Sequence, residues 1–469
     1  MGNNWPLVKI ADIQANTKGA IAIGPFGSRL KSDCYVNSGI PVIRGTNISR
    51  GPAFKGEFVY ITEDKADTLG SSNVYKDDLV FPHRGSIGEV GIILEDKRFV
   101  LSSSLMKITC DTTKVNPKYI YYFFKSNEGI HALLKNASQV GTPGIGQPLT
   151  SLKSIEFRKP PLTVQNKIVA VTSSLDEKIE LNYQMNQTLE QIAQALFKSW
   201  FIDFDPVIDN ALAAGNTIPD ELKARAELRK KVLVTANIKR LPIAIQQLFP
   251  CEFVGSTSLG QVPVNWAECN FLSLIKLIGG GTPKTTINEY WNGDIPWFSV
   301  VDAPRDANIF VVDTDKHITQ LGVDKSSTKI LREGTTIISA RGTVGKCAMV
   351  ATPMAMNQSC YGINGLEGTA DEYIYFLTRY QVTNLQKRSH GSVFDTITKK
   401  TFESINLPFP GGPITQAFKN EVKPILTKVL ANNNQINTLT KLRDTLLPKL
   451  ISGELKIPEA AQQLEAALA

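Results

Sequence analysis

The clearest pattern along the chain lies in two long stretches in which mostly apolar residues, interrupted by Lys178, Asn182, Asn432 and Arg443, recur at alternating steps of four and three. In the second stretch these positions are Phe418, Val422, Ile425, Val429, Asn432, Ile436, Leu439, Arg443, Leu446 and Leu450. In the first they are Val164, Ile168, Val171, Leu175, Lys178, Asn182, Met185, Leu189, Ile192 and Leu196. This spacing is typical of coiled-coil helices. It predicts two long helices that pair with each other.

Asn182 and Asn432 fall near the middle of the two predicted seams. A buried Asn in a coiled coil lowers stability but fixes the register, because its amide needs a polar partner across the interface. We therefore predict that both residues set the register of an antiparallel pair about 55 Å long, which holds two domains apart along roughly one and a half turns of B-DNA. The alternative is two amphipathic helices that each pack on their own domain.

Each long stretch follows about 160 residues of short β-prone runs that are broken by Gly, Pro, Asn and Asp. A short helix is predicted near the end of each region. Asn116 and Pro117 are typical of a helix start in the first region, and Asp371 takes that role in the second. The predicted fold class is α+β, with two similar α/β domains, each followed by a long helix.

Parts of the chain occur twice in the same order. Residues 82–88 (PHRGSIG) return as residues 339–345 (SARGTVG), and residues 119–123 (YIYYF) return as residues 373–377 (YIYFL). A repeat of this length exceeds the period of roughly 20 to 50 residues that is typical of solenoids. It indicates two domains built on one plan.

The repeats and the helical stretches divide the chain. We predict a first α+β domain at 1–160, a first spacer helix at 161–202, a connector at 203–262, a second α+β domain at 263–413, a second spacer helix at 414–452 and a tail at 453–469.

Charge and composition narrow the function classes. Residues 1–160 hold 20 Lys and Arg against 14 Asp and Glu, whereas the two kinds of charge balance in residues 268–413. A basic excess suits a phosphate-rich partner, although solvated surfaces also carry one. The six cysteines are widely spaced without a Cys-x-x-Cys pair, so we expect reduced thiols and no zinc site. With no signal-peptide pattern or apolar span, the expected location is the cytoplasm, away from membranes.

Catalytic motifs are not evident. Residues 116–119 (NPKY) partly resemble an amino-methyltransferase element, but no Gly-rich cofactor loop accompanies them. Asp220, Glu221 and Lys223 resemble part of a nuclease signature, yet they follow one another along a predicted helix. We expect a non-catalytic chain that binds no metal and no cofactor of its own.

The two Arg-Gly-Ser/Thr-x-Gly loops are the leading candidates for DNA binding. Glycines allow close backbone approach, and Arg with a small hydroxyl can donate to phosphates and guanine edges. The alternative is a tight hairpin turn with the Arg in solvent. The candidates in the first domain are Arg84, Gly85, Ser86, Arg29, Lys31, Arg44, Asn47, Arg50, Gln139 and Gln147. Those in the second are Arg341, Gly342, Thr343, Lys284, Ser299, Arg305, Arg388, His390 and Lys399. The loops at 139–147 and 390–398 occupy matching places in the two copies.

Together with the loops, residues 39–41 (GIP), 294–296 (DIP), 159–168 (KPPLTVQNKI) and 196–207 (LFKSWFIDFDPV) carry a family resemblance over essentially the whole chain. The chain resembles specificity subunits of type I restriction-modification systems. The match is looser at residues 409–416 (FPGGPITQ).

This resemblance implies two target recognition domains that read the two parts of a split, asymmetric double-stranded DNA site. It implies two modification subunits, which bring S-adenosylmethionine and methylate a flipped adenine, and restriction subunits that use ATP and Mg²⁺. Two other hypotheses stay open at this point. One is a protein scaffold whose domains bind proteins, and the other is a self-sufficient methyltransferase.

Overall fold

The computed structural model describes residues 5–49, 51–138, 143–234, 240–304, 308–366, 368–389 and 396–468. The chain divides into two compact units. Unit 1 comprises Met1–Leu181 and Gln435–Ala469, and unit 2 comprises Asn182–Asn434. Each unit contains one α+β domain and one segment of each long helix.

In the described part of the chain before the first long helix, the strands are β1 (Leu7–Lys9), β2 (Ile21–Ile23), β3 (Ile40–Ile43), β4 (Val59–Ile61), β5 (Asn73–Val74), β6 (Leu79–Pro82), β7 (Gly91–Ile92), β8 (Phe99–Leu101), β9 (Leu105–Ile108), β10 (Ala137–Ser138), β11 (Gly144–Ile145) and β12 (Glu156–Arg158). The helices are α1 (Glu63–Thr68), α2 (Pro117–Lys125), α3 (Asn127–Leu134), α4 (Pro148–Ser154) and α5 (Leu162–Phe201).

Unit 1 contains two four-stranded sheets. The first has the antiparallel order β2-β9-β6-β7, and the second has the order β4-β3-β8-β5, in which β3 and β8 are parallel. Strand β1 pairs with β12, so Leu7 lies opposite Arg158 and the start of the domain is tied to its end.

The remaining strands are β13 (Phe253–Ser256), β14 (Gly260–Pro263), β15 (Ala267–Asn270), β16 (Ile275–Gly279), β17 (Trp291–Phe298), β18 (Phe310–Val311), β19 (His317–Ile318), β20 (Thr336–Ser339), β21 (Cys347–Val350), β22 (Ala355–Met356), β23 (Cys360–Gly365) and β24 (Asn406–Phe409). The helices are α6 (Asp205–Ala214), α7 (Lys223–Leu233), α8 (Ile243–Gln246), α9 (Gln320–Asp324), α10 (Asp371–Ser389), α11 (Lys399–Glu403), α12 (Gly412–Ser452) and α13 (Ile457–Leu468).

The sheets of unit 2 repeat those of unit 1. The order β16-β23-β20-β21 matches β2-β9-β6-β7, with β18 added beside β21. The parallel pair β17 and β22 matches β3 and β8, and the antiparallel pair β15 and β24 matches β1 and β12. The duplication read from short sequence matches is therefore a duplication of topology.

The predicted helix starts agree with the structure. The Asn116 side chain accepts a hydrogen bond from the backbone of Lys118, and Pro117 occupies the first turn of α2, where a missing N–H costs nothing. Helix α10 begins at Asp371, whose carboxylate accepts a hydrogen bond from the backbone of Gly365 at 3.0 Å.

Helices α5 and α12 contain 40 and 41 residues, which corresponds to about 60 Å each at the usual rise per residue. Within unit 1, Arg443 of α12 pairs with Asp176 of α5 at 2.8 Å. Within unit 2, Asn432 of α12 donates to Asn186 of α5 at 2.8 Å. Later positions on one helix meet earlier positions on the other, so the predicted antiparallel coiled coil is confirmed.

The predicted seam of α12 is also confirmed, since eight of its ten positions are buried and Ile425 and Arg443 are half-buried. The seam predicted for α5 is wrong after Asn182. Met185 and Ile192 are 36% and 50% exposed, whereas Asn186, Glu190 and Ala193 are buried. The apolar pattern failed here because two of the buried positions are polar: Asn186 bonds asparagines of α12, and one oxygen of Glu190 pairs with Arg379.

The hydrogen bonds of the buried asparagines differ from the predicted register in one residue of α5. Asn182 is buried as expected, at 2% exposure, but the residue that bonds Asn432 is Asn186, one turn further along α5. The Asn186 amide in turn donates to the Asn433 side chain at 2.7 Å. Three asparagines therefore form a buried hydrogen-bonded group, and a one-residue slip of either helix would break both bonds.

The connector folds back on itself within unit 2. Arg225 on α7 makes two hydrogen bonds to the Asp205 carboxylate at the start of α6, and Arg229 does the same with Asp209. Such bidentate pairs are geometrically specific. The polar helix expected here thus has a fixed packing site. Among the helices of the described ranges, none has a stretch long and apolar enough to cross a bilayer.

Candidate nucleic-acid interface

A short turn at residues 102–104 marks the point where several loops of unit 1 meet. Strand β9 begins directly after this turn, between the ends of β2 and β6. Gly24 follows β2 and donates to the carbonyl of Leu105, and His83 follows β6 and donates to the carbonyl of Ser104 at 2.9 Å. Both loops therefore lie beside the turn.

A loop from the second sheet of unit 1 also lies beside the turn at 102–104. Ser102 donates to the carbonyl of Ile43, the last residue of β3, so Arg44 begins next to the turn. Gly85 donates to the carbonyl of Pro143, and Arg84 forms an isolated β-bridge with Gly144. We call the segments 24–29, 44–47, 83–86, 102–104 and 143–147 the loop edge of unit 1.

Unit 2 builds its loop edge in the same way, from segments 280–284, 299–302, 340–343, 357–359 and 396–398. Ala340 donates to the carbonyl of Ser359 at 2.8 Å, and Asn357 donates to the carbonyl of Phe298 at 2.9 Å. Arg341 forms an isolated β-bridge with Thr396. In both units the Arg-Gly loop is thus brought together with the described end of the second loop that the sequence singled out, residues 143–147 in unit 1 and 396–398 in unit 2.

Glycines permit the close packing at these edges. A Cβ on Gly24 would lie 1.9 Å from the carbonyl oxygen of Ser102, and a Cβ on Gly280 would lie 1.9 Å from that of Asn357. No side chain fits at such a distance. We call the turn at 102–104 in unit 1 and the turn at 357–359 in unit 2 the central turns. The segment before Phe26 and the segment before Thr282 are therefore held against the central turn of their own unit.

The Arg-Gly-Ser/Thr-x-Gly loops are hairpin turns, as one alternative predicted. Gly85 and Gly342 have φ values of 83° and 73°, which glycine adopts without strain. The turns join β6 to β7 and β20 to β21, and they leave Arg84 and Arg341 exposed. The hairpin explains the glycines, while the Arg guanidinium groups remain accessible to a ligand.

The other candidates fall into three groups. Exposed residues on or beside the loop edges are Arg29, Ser86, Gln147, Lys284, Thr343 and Lys399, and Lys31 is exposed two residues after Arg29. One guanidinium nitrogen of Arg29 is already used, since it donates to the carbonyl of Thr68 at 3.0 Å. Outside the described residues lie Arg50, Gln139, Arg305, His390 and the side chain of Arg388.

Asn47 and Ser299 do not fit the binding role predicted for them. Asn47 is 1% exposed, and its side chain bonds the backbones of Arg44, Lys55 and Glu57. The Ser299 hydroxyl donates to the Asp302 carboxylate at 2.8 Å. These contacts shape the loops, because a side chain already bonded within its own turn has little left to offer a ligand. Arg44 is half-buried and donates to the carbonyl of Glu57.

Sequence reasoning missed the exposed tips of the two central turns, Ser103 and Gln358. It also missed Phe26, which is 59% exposed on the loop after β2. The offset between Ser103 and Gln358 is close to that of the other repeats, so the duplication itself contained the signal. It was hidden because the two turns share little sequence.

The buried side chain of His83 contacts the backbone of the central turn of unit 1. Its side chain is 3% exposed, and Nε2 lies 3.0 Å from the carbonyl oxygen of Ser103. Since a carbonyl only accepts hydrogen bonds, Nε2 carries a proton. Burial lowers the pKa of His83 below 6.5, which favours the neutral ring. Ala340 occupies the equivalent position in unit 2.

Metal ligands are not grouped at either edge: across the described ranges, no three or more His, Cys, Asp or Glu side chains are placed to hold an ion. Burial raises the pKa of Cys110, Cys347 and Cys360 to about 12, so these thiols are protonated at neutral pH.

Comparison with known proteins shows which family has the sequence of these two domains. Residues 23–191 and 263–442 match the type I restriction modification DNA specificity domain, so most of both domains and of both long helices is covered. The specificity subunit of the type I restriction enzyme HindI from Haemophilus influenzae is 31% identical over 380 residues, which are 76% of this chain and 81% of that subunit.

Two further comparisons extend over nearly the whole chain. The specificity subunit of the type I restriction enzyme MjaIX from Methanocaldococcus jannaschii is 25% identical, covering 97% of this chain and 94% of that one. The crystal structure of the S subunit of a type I restriction-modification system from M. genitalium aligns with a TM-score of 0.52 at 16% identity, over 96% of this chain and 97% of that one. The likeness to that structure shows the fold.

Proposed function

This chain belongs to the type I restriction modification DNA specificity family, and from that premise we propose that each unit reads one half of a bipartite, asymmetric double-stranded DNA site. The loop edge of each unit is the proposed contact surface. The observation that carries this proposal is the duplicated arrangement of an exposed Arg on a glycine hairpin, beside a central turn, in two domains of the same topology.

The chemistry of the loop edges suits nucleic acid. A guanidinium group can donate two hydrogen bonds to the N7 and O6 atoms of guanine or bind a phosphate. Ser86 and Thr343 next to the Arg residues are exposed hydroxyls that can donate to phosphate or to a base edge. Unit 2 carries no excess of basic residues in its domain, so base contacts there depend on the placement of a few groups.

The chain is a non-catalytic recognition subunit. In our proposal two modification subunits bind S-adenosylmethionine and methylate an adenine in each half of the site, and restriction subunits use ATP and Mg²⁺. None of these cofactors is held by this chain. The assembly would act on DNA in the cytoplasm, and the long helices α5 and α12 would carry the contacts with the modification subunits.

Binding to DNA is tested by titrating a labelled duplex that contains the recognised site with the complex of this chain and its modification subunit. Contacts to phosphates release counterions, so affinity should fall by roughly 10³-fold or more between about 50 mM and 200 mM salt. Specific binding that is insensitive to salt would contradict the proposed phosphate contacts. Absence of any DNA binding would favour the protein scaffold.

A further inference from the structure

We propose that the tip residues of the two central turns, Ser103 and Gln358, are specificity-determining residues that read different bases in the two halves of the site. This inference rests on the proposed function and names two side chains that the sequence patterns did not single out. Both residues are exposed, and each lies in the middle of its loop edge.

The two turns are equivalent in backbone geometry. Leu105 donates to the carbonyl of Ser102 at 3.2 Å, and Cys360 donates to the carbonyl of Asn357 at 3.3 Å. Each is a four-residue turn, with Ser103 or Gln358 at its second position. Both turns precede an inner strand of their sheet, β9 or β23, and follow a strand that is paired in parallel with another. The same position in space relative to the sheet thus carries Ser in one unit and Gln in the other.

Both turns are held in place from several sides. In unit 2 the Asn357 side chain accepts a hydrogen bond from the backbone of Ser359 at 3.0 Å, which is an Asx-type stabilisation of the turn. In unit 1 the hydroxyls of Ser102 and Ser104 lie 3.3 Å apart, and His83 bonds the carbonyl of Ser103. A side chain on a fixed backbone loses less entropy when it binds, so the tips are suited to selective contacts.

The Gln358 amide is also oriented. The Thr282 hydroxyl donates to Gln358 Oε1, which fixes which end of the amide faces the neighbouring loop. The Nε2 group is the end that this bond leaves for a ligand. An amide N–H₂ donates to acceptors in the major groove, such as N7 of a purine or O4 of thymine. Thr282 is thus a positioning residue for Gln358.

Ser103 offers different chemistry at the equivalent place. Its hydroxyl can donate or accept, and its side chain lacks the two further carbons of Gln, so it reaches less far toward a base. The two units therefore present the same scaffold with a different reading group at its centre. Two halves of an asymmetric site need such a difference, because identical edges would favour identical halves.

The test exchanges the tips in the full chain. Ser103→Gln and Gln358→Ser variants are co-expressed with the modification subunit, and methylated adenines are mapped across the genome. Gln358→Ser should relax one base position in one half of the motif by on the order of tenfold, and Ser103→Gln should alter one position in the other half. The matched control is Gln247→Ser, at an exposed position of the connector outside both loop edges and both long helices, which should leave the motif unchanged.

A second variant covers the case in which Gln358→Ser is poorly folded. Gln358→Glu keeps the size of the side chain and replaces the donor with an acceptor, which favours a base that donates, such as cytosine through N4. A motif identical to the wild type in the Gln358 and Ser103 variants overturns this inference. A wild-type chain that directs no bipartite methylation overturns the proposed function instead, so the two failures are distinguishable.

Discussion

Asn432 of α12 donates a hydrogen bond of 2.8 Å to the side chain of Asn186 on α5, within the buried group of three asparagines. Asn432 is 1% exposed and Asn186 is fully buried. Removing one partner leaves a buried amide unsatisfied. We predict that Asn432→Ala lowers the free energy of unfolding by about 1–3 kcal/mol, measured by denaturant titration.

Gln187→Ala is the control for this prediction, because Gln187 is the exposed neighbour of Asn186 on the same helix. Its effect should lie within about 0.5 kcal/mol of zero. Equal effects of the two variants would show that the buried asparagines do not stabilise the pairing of α5 and α12.

Arg443 of α12 and Asp176 of α5 form an ion pair in the part of the coiled coil that belongs to unit 1. Tyr122 donates a hydrogen bond to the same carboxylate at 2.8 Å. Burial opposes the charged guanidinium, yet Asp176 raises the pKa of Arg443 above its ordinary value. Arg443→Met leaves a buried carboxylate without its counterion. The loss should be about 3 kcal/mol in the free energy of unfolding.

The double variant Asp176→Leu/Arg443→Met separates the cost of an unpaired buried carboxylate from the contribution of the ion pair to the free energy of unfolding. It should recover much of the loss, because the unpaired charge is gone. A double variant as unstable as Arg443→Met, or more so, would contradict this explanation. Lys441→Ala on the exposed side of α12 serves as the control.

The long helices show how much of a helix interface can be predicted from the spacing of apolar residues. Ten apolar or polar positions in steps of four and three predicted the seam of α12 correctly, because every polar break in it is a residue that reaches across to α5. The α5 seam after Asn182 could not be predicted in the same way. Asn186 and Glu190 are polar and read as surface positions, and only their partners in the fold explain why they are buried.

The candidate site shows the same limit. Arg84 and Arg341 were found because their motif occurs twice, and the structure brings them to equivalent exposed hairpins. Asn47 was chosen as a donor in a Gly-rich stretch, but three backbone groups use its amide. Ser103 and Gln358 carry no motif, so only the equivalence of the two turns identifies them.

Arg84→Ala and Arg341→Ala test the hairpins in each half separately. If the guanidinium contacts a base, each variant should relax one position in one half by about 1–3 kcal/mol in binding free energy. If it contacts a phosphate, binding to all sequences should weaken alike, and the salt dependence should become shallower. Competition binding with single-base variants of the site distinguishes the two. Lys276→Ala, an exposed change on β16, is the control.

His83 predicts a pH dependence of stability, and the equivalent position of unit 2 is occupied by Ala340, which does not titrate. Burial holds its pKa below the unfolded value of 6.5, so the folded state binds the proton less readily than the unfolded state. The stability from neutral His83 is complete above that value and is lost as the pH falls through the lower pKa of the folded state. The melting temperature of the wild type should therefore fall more than that of His83→Ala between about pH 7.5 and pH 5.5. Parallel curves for the two proteins would rule out this role.

Replacement of residues 1–160 by the matching domain of a relative with another specificity tests the central claim most directly. Methylated adenines would be mapped in cells that express the hybrid with its modification subunit. We predict a motif in which one half changes and the other half stays that of the wild type. A motif that changes in both halves, or in neither, would contradict the account of two independent reading units.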